Sequence, residues 1–146
     1  MKWEPHVTVA TVIEKNGKYL LIEEQSSQGL VFNQPAGHLE ANESLQEAAI
    51  RETLEETGWH IEIEGVVGMA LYRSPSNGVT YHRSTFFAKA ITETANAVLD
   101  DGIERALWMT YDDMLQNANR MRSPLVIRAV EQYQDGHRYP IECIYE

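Results

Sequence analysis

The chain has 146 residues, with 12 Lys and Arg against 22 Asp and Glu, a formal charge of −10 and a pI near 4.9. Its composition, 43% hydrophobic and 23% charged, is that of a globular protein, and the length suits a single domain over 1–146. The acid excess excludes unaided binding to nucleic-acid polymers or anionic membranes, which need basic patches, and leaves open whether some of the acids hold a cation.

Residues 6–13 are rich in β-branched side chains and read as a strand. Asn16-Gly17 is a hairpin turn, because both residues tolerate positive φ, and Lys18–Glu24 is the return strand. Gln25–Leu30 reads as a loop. The clearest helix spans 43–57, with Asn42 as N-cap and Gly58 just past its end. Three residues after Asn42 stands Leu45, so no full capping box is expected. His60–Tyr72 alternates as a strand, Ser74–Gly78 is a turn, and Ser84–Ala90 is a further strand. Thr92–Gly102 reads as a loop and Ile103–Met109 as a short strand. Thr110 caps a helix over Tyr111–Asn119. Ser123-Pro124 places an N-cap and a proline at the first turn of a last helix, which runs to about Gln134. Strands and helices mixed in this way predict one α/β (α+β) domain.

Cys143, the only cysteine, excludes an intramolecular disulfide framework and a cysteine metal site and reads as an inert thiol. Neither a signal peptide nor an apolar run of membrane-spanning length is visible, and the cytoplasm is the default expectation.

Chemistry concentrates on the middle helix. At about 100° per residue, with Glu52 at 0°, Glu56 falls near +40° and Glu55 near −60°. The three carboxylates are i, i+3 and i+4 neighbours, which repel, and Glu55 and Glu56 also face the negative end of the helix dipole. A solvated acidic face is the plain reading. A divalent cation would offset the repulsion, and hard oxygen donors select Mg²⁺, Mn²⁺ or Ca²⁺. Leu45, Ala48 and Ala49 share the acidic arc, while Ile50 and Leu54 form a second apolar stripe. Two stripes predict a helix sandwiched between layers, with the acids at the mouth of a cleft. Mg²⁺ is commonly held by a few carboxylates and substrate phosphates, so the pattern points to phosphate chemistry. Just upstream, Asn33-Gln34-Pro35-Ala36-Gly37-His38 reads as a tight loop whose backbone can approach a metal or a phosphate.

Gly37, Glu43 and Arg51-Glu52-Thr53-Leu54-Glu55-Glu56-Thr57-Gly58-Trp59 together resemble the Nudix box, Gly-x5-Glu-x7-Arg-Glu-U-x-Glu-Glu-x-Gly-U. Every fixed position is present, and the departures, Thr53 and Trp59, fall on the two bulky aliphatic positions U. The resemblance, to the MutT-like Nudix hydrolases, implies an α/β/α sandwich with the box, residues 37–59, as loop–helix–loop. It also implies Mg²⁺-dependent hydrolysis of phosphoanhydrides in small phosphorylated substrates, with Mn²⁺ as an alternative ion. Residue by residue, Glu52, Glu55 and Glu56 match the metal-binding glutamates, one of which serves as base or orients water. The Ala36 carbonyl matches a backbone metal ligand, and Arg51 with Glu43 matches the pair that holds box loop to helix. Glu104 is carried as an extra metal or base candidate, and Asp100 and Asp101 less clearly so.

Segments 6–10, 33–40, 122–126 and 138–142 are similar to a narrower group, the NudJ-type phosphatases. That similarity implies release of phosphate from nucleoside tri- and diphosphates, and action on hydroxymethylpyrimidine or thiamine diphosphate. Arg122 and Arg138 are candidate phosphate clamps or, on the plainer reading, charges that pin loops. His38 faces the site or is a polar loop residue, and His82 is undecided. Trp3, Phe32 and Trp108 are candidate base platforms, with core packing as the default for Trp108. The alternatives are an ADP-ribose or dinucleoside polyphosphate pyrophosphatase and a nucleotide-binding sensor. Monomer and homodimer both remain open.

Overall fold

The structure, a computed structural model, describes residues 2–146. Strand β1 (His6–Lys15) turns at Asn16-Gly17 into β2 (Lys18–Ser26), and β3 (Gly29–Asn33) follows. Both turn residues adopt positive φ, 53° and 77°, which is what the hairpin needed of them. The stretch expected to be a loop at 25–30 is instead a tight hairpin: β2 and β3 stay paired from Ile22–Asn33 out to Ser26–Gly29. Its polar side chains hid a strand pair whose stability lies in the ladder.

The short strand β4 (Ala36–His38) leads to helix α1 (Leu45–Thr57), then to the long strands β5 (Trp59–Arg73) and β6 (Thr80–Glu93) and to β7 (Ile103–Thr110). Helix α2 (Tyr111–Gln116), a 3₁₀ turn at Ala118–Arg120 and helix α3 (Leu125–Gln134) complete the main body. Seven strands form one mixed sheet of order β3-β2-β1-β6-β5, with β4 added to β1 and β7 to β2. β1 runs parallel to β6 over residues 6–13 and pairs with β2 only at its last two residues. Its other edge is thereby left to β4, and this brings the loop before α1 into the sheet.

Alternation along the strands sends neighbouring residues to opposite faces. Val9, Val66 and Phe86 pack with Ala48 and Ala49 of α1. Val12 and Val67 pack with Met114 of α2 and with Val126, Ala129 and Val130 of α3. The sheet therefore lies between α1 and the α2–α3 pair, the expected α/β/α arrangement. α3 starts one residue later than the Ser123-Pro124 signal placed it, with Pro124 as its N-cap; Ser123 Oγ accepts from Leu125 N–H at 3.2 Å. No helix among the described residues is long and apolar enough to cross a membrane.

Candidate active site

Helix α1 carries the acids, and its start differs from the expectation. Ser44, not Asn42, is the N-cap: its side chain accepts from Glu47 N–H at 3.1 Å, and Glu47 accepts from Ser44 N–H at 2.8 Å. A full capping box therefore exists two residues later than the sequence suggested, stabilising the helix by about 1 kcal/mol. Asn42 instead takes a left-handed turn with φ 66°. The helix ends where expected, with Gly58 at φ 77° returning its N–H to Leu54.

The buried residues of α1 are Ala48, Ala49, Thr53, Glu56 and Thr57, one continuous arc. The second apolar stripe is not used: Ile50 is 39% exposed, so α1 packs on one side only. Its buried arc is centred close to Glu56, and the three acids consequently form a gradient. Glu56 is 7% exposed, the Glu52 side chain 12% and the Glu55 side chain 40%.

Gly37 explains how a carboxylate reaches the strand. A Cβ at this position would lie 2.2 Å from Glu52 Cδ, so only glycine lets Glu52 rest on the backbone of β4. Register explains the rest. Leu39 N–H donates to Val7 C=O at 3.0 Å and Thr11 N–H to Pro35 C=O at 3.2 Å, flanking the Val9–Gly37 pair. Antiparallel pairs alternate, so Ala36 and His38 turn their N–H and C=O groups away from β1. Accordingly Ala36 N–H donates to Glu56 Oε1 at 2.8 Å, His38 C=O accepts from Arg51 at 3.1 Å, and the Ala36 carbonyl faces the same side.

Arg51 ties this region together. Its Nε and Nη2 form a fork on Glu43, at 2.9 and 2.7 Å. Its Nη1 reaches Glu52 at 2.7 Å and Glu55 at 3.2 Å. The guanidinium hydrogen bonds hold the Glu43 carboxyl down at about 2. Burial raises Glu52, against the pull of Arg51 and with the help of Glu55 and Asp100. Burial pushes Glu56 up to about 9; the charges of Glu52, Glu24 and Asp100 add to this, and the Ala36 hydrogen bond opposes it.

One residue of the acidic cluster was only a faint candidate in the sequence. Glu52, Glu55 and Asp100 each present a carboxylate oxygen, all within 4.8 Å of one another. Asp100 arrives because its N–H caps the Glu55 carbonyl at 3.1 Å, one of the carbonyls that the last turn of α1 leaves open. Glu104 does not join; it accepts from Gln25 Nε2 at 3.1 Å on the exposed edge of β2 and β7. Gathered at the negative end of a helix with no basic residue in its last turn, these hard oxygens fit a divalent cation.

Facing β4 is a cavity of about 290 Å³, lined among others by His38, Tyr72, Tyr81, Arg83 and Arg122. A wider one of about 810 Å³ adjoins it past Tyr72 and Arg122. Arg122 Nη1 pairs with Glu24 at 3.1 Å. His38 lines the cavity with its ring 3.0 Å from His6 Nδ1; burial and the neighbouring His6 both lower its pKa. His82 is exposed and lies outside the cavity lining.

Arg138 is placed as the plainer reading has it, as a charge that pins a loop. It stacks 3.9 Å over the Tyr133 ring and donates to the Tyr133 carbonyl at 3.3 Å, at the end of α3 remote from the cavity. The suggested base platforms are elsewhere too. Phe32 is core, Trp108 packs on Trp59 and Trp3 is 71% exposed. Tyr72 and Tyr81 are the aromatic rings of the cavity wall. Sequence reasoning passed over them and Arg83; the available signal was an arginine in a strand that continues into Phe86-Phe87.

A loop–helix–loop that aims carboxylates at a strand backbone is the arrangement of a hydrolase acting on phosphoanhydrides. The chain belongs to the Nudix family: the NUDIX domain model matches residues 2–130. It is 39% identical over 142 residues to phosphatase NudJ of Escherichia coli K12, covering 97% of this chain and 92% of that one. A solved NUDIX hydrolase from Nitrosomonas europaea shares 42% identity with a TM-score of 0.95, covering 98% of this chain and 97% of that one. A MutT NUDIX hydrolase from Burkholderia pseudomallei, at 23% identity and TM-score 0.75, covers 88% and 98% and shares the fold.

Proposed function

We propose that this chain is a Mg²⁺-dependent phosphatase of the NudJ type, with Mn²⁺ as an alternative ion. It would release phosphate from nucleoside tri- and diphosphates and act on hydroxymethylpyrimidine or thiamine diphosphate. The observation that carries the metal reading is the convergence of Glu52, Glu55 and Asp100 beside a glycine that a side chain could not replace. The phosphatase reading is supported by the similarity to NudJ along 97% of the chain.

Glu52, Glu55 and Asp100, with the Ala36 carbonyl and Glu56, would hold the ion. When bound, it supplies charge neutralisation on phosphate oxygens and lowers the pKa of water. Arg51 pairs with Glu52 and Glu55 and, through Glu43, fixes the box loop against the helix. Burial raises the Glu56 carboxyl to about 9, and a divalent ion beside it would favour the ionised form. Glu56 Oε1 accepts from the Ala36 N–H, and Oε2 would be the atom free to face the ion or to take a proton from water. Arg122, which lines the cavity, would bind a phosphate oxygen of the substrate; Arg suits such contacts.

A substrate panel with Mg²⁺ and with chelator, scoring phosphate against pyrophosphate, tests this reading. Nucleoside tri- and diphosphates, hydroxymethylpyrimidine diphosphate and ADP-ribose suffice. Phosphate release that stops with chelator is expected; cleavage of ADP-ribose alone would overturn it.

A further inference from the structure

One cation in the cavity has no counter-ion. Arg83 sits in the middle of β6, opposite Thr8 of β1 and Ala70 of β5, and is 8% exposed. Its Nη2 donates to two neutral amides, Gln34 Oε1 at 2.9 Å and Asn33 Oδ1 at 3.4 Å. Its buried Nε finds no acceptor. Among the described residues no carboxylate comes within salt-bridge distance of it. Glu24, one of the nearest acids, is taken: it pairs with Arg122 at 3.1 Å and accepts from Asn33 Nδ2 at 3.2 Å. Glu56, the other, has its Oε1 on the Ala36 N–H at 2.8 Å.

A buried charge without a partner is costly, and proteins rarely keep one unless something else supplies the opposite charge. Arg83 is also held in place. Gln34 is 1% exposed and locks its own amide on the Val126 carbonyl at 2.7 Å, so Arg83 is braced against the first turn of α3. That turn adds the positive end of the helix dipole. Its first N–H groups are already bonded within the turn, to Ser123 Oγ and to Ser123 C=O. The hydroxyl proton of Ser123 remains free to donate, and Ser123 lines the same cavity as Arg83, Arg122, Ala36 and Gly37.

We infer that the inner end of this cavity is a subsite for the terminal phosphate of the substrate, with Arg83 as its anchor and Arg122 and Ser123 completing it. The inference rests on the phosphatase reading and narrows it to a substrate class. A terminal phosphate carries up to two negative charges and three free oxygens, whereas a phosphate esterified on both sides carries one charge and two. A fixed, buried guanidinium selects the former and positions the last phosphoanhydride beside the box at Ala36 and Gly37, which line the same cavity. The wider cavity past Tyr72 leaves room for the remainder of the substrate. Nucleoside di- and triphosphates and other monoesters of diphosphate fit; ADP-ribose and dinucleoside polyphosphates do not.

Inorganic phosphate is the probe, titrated into the metal-free full-length protein by calorimetry and by thermal shift. The wild type is expected to bind it, with affinity falling about 10–100-fold in Arg83→Gln, the range for losing a charge-assisted hydrogen bond. Arg83→Lys keeps the charge and covers the case in which the glutamine variant fails to fold; it should recover part of the affinity. In turnover, Arg83→Lys should raise KM for a nucleoside diphosphate far more than it lowers kcat. Glu55→Gln should lose turnover yet bind phosphate as the wild type does. Phosphate binding that is absent in the wild type, or equal in folded Arg83 variants, overturns the subsite. Arg83-dependent phosphate binding without any phosphatase turnover would overturn the enzymatic reading and leave the subsite standing.

Discussion

The two walls of the cleft are built in opposite ways. The acidic wall is local: Gly37, Glu43, Arg51, Glu52, Glu55, Glu56 and Gly58 lie within 22 consecutive residues, and one helix with its preceding loop aligns them. The basic wall is assembled from afar, with Arg83 from β6, Arg122 and Ser123 from the turn before α3, and Tyr72 from β5. Local spacing suffices where chemistry needs carboxylates at fixed distances from one ion. A phosphate can be met from many directions, so its partners need share only a cavity.

The sharpest break between the walls is expected at Glu56. Glu56→Gln keeps the side-chain volume and the Ala36 contact. Phosphate release with Mg²⁺ should nevertheless fall by about 10²–10⁴-fold, the usual contribution of a positioned proton-transfer group. Turnover unchanged in a folded variant would remove Glu56 from the chemistry and leave it a packing residue of α1.

Gly37→Ala tests whether the acidic wall depends on one missing atom. The new Cβ would collide with the Glu52 carboxyl and force it off β4. Overpacking of this kind costs about 1–3 kcal/mol, and thermal unfolding should show the loss. The same variant should lose most of its Mg²⁺-induced stabilisation. A variant with full Mg²⁺ response would show that the close approach of Glu52 to the backbone is dispensable.

This wall was legible in the sequence because helix periodicity maps spacing directly onto a surface. Even the burial gradient from Glu56 to Glu55 follows from the arc set by Ala48 and Ala49. What the sequence hid depended on tertiary pairing. Ser44 was overlooked because Asn42 also satisfies the cap preference. Asp100 entered the cluster through a backbone bond to Glu55, which no side-chain pattern encodes. The β2–β3 hairpin was concealed by polar residues whose ladder partners are not visible locally. Arg83 was hidden for the same reason, since only the fold shows that Glu24 is already committed to Arg122.

A smaller effect should separate the walls by pH. Glu56 has a folded pKa of about 9 against an ordinary 4.5, so the metal-free folded protein holds a proton there that the unfolded chain releases. The stability from that proton is complete below about 4.5 and is lost as pH rises towards 9, with a slope of at most ~1.4 kcal/mol per pH unit for one proton. Glu43, held at about 2, acts in the opposite sense and only in acid: its contribution is present above 4.5 and is lost as pH falls towards 2. Chemical denaturation of metal-free protein between pH 6 and 9 should show declining stability in the wild type and a flatter profile in Glu56→Gln. Mg²⁺ binding should release a proton, measurable as a dependence of binding heat on buffer ionisation. Parallel pH profiles for the two proteins would mean that Glu56 is ionised before metal arrives.

The smallest effect belongs to Arg138, which stacks on Tyr133 and does not line the cavity. Arg138 lies beyond the C-terminal end of α3, whose ten residues put it roughly 15 Å from the N-terminal turn at the cavity. Its contacts are the face of Tyr133 and that residue's carbonyl, a cation–π pair worth ~0.5–1 kcal/mol at an exposed site. Arg138→Ala should therefore lower stability by about that amount and leave KM for a nucleoside diphosphate unchanged, whereas Arg122→Ala raises KM without comparable loss of stability. The pair of variants is informative because the sequence offers both arginines on equal terms, each beside a proline-containing turn. A KM increase in Arg138→Ala would show that the substrate extends along α3 to its far end, and the basic wall would then be longer than the cavity at its N-terminus.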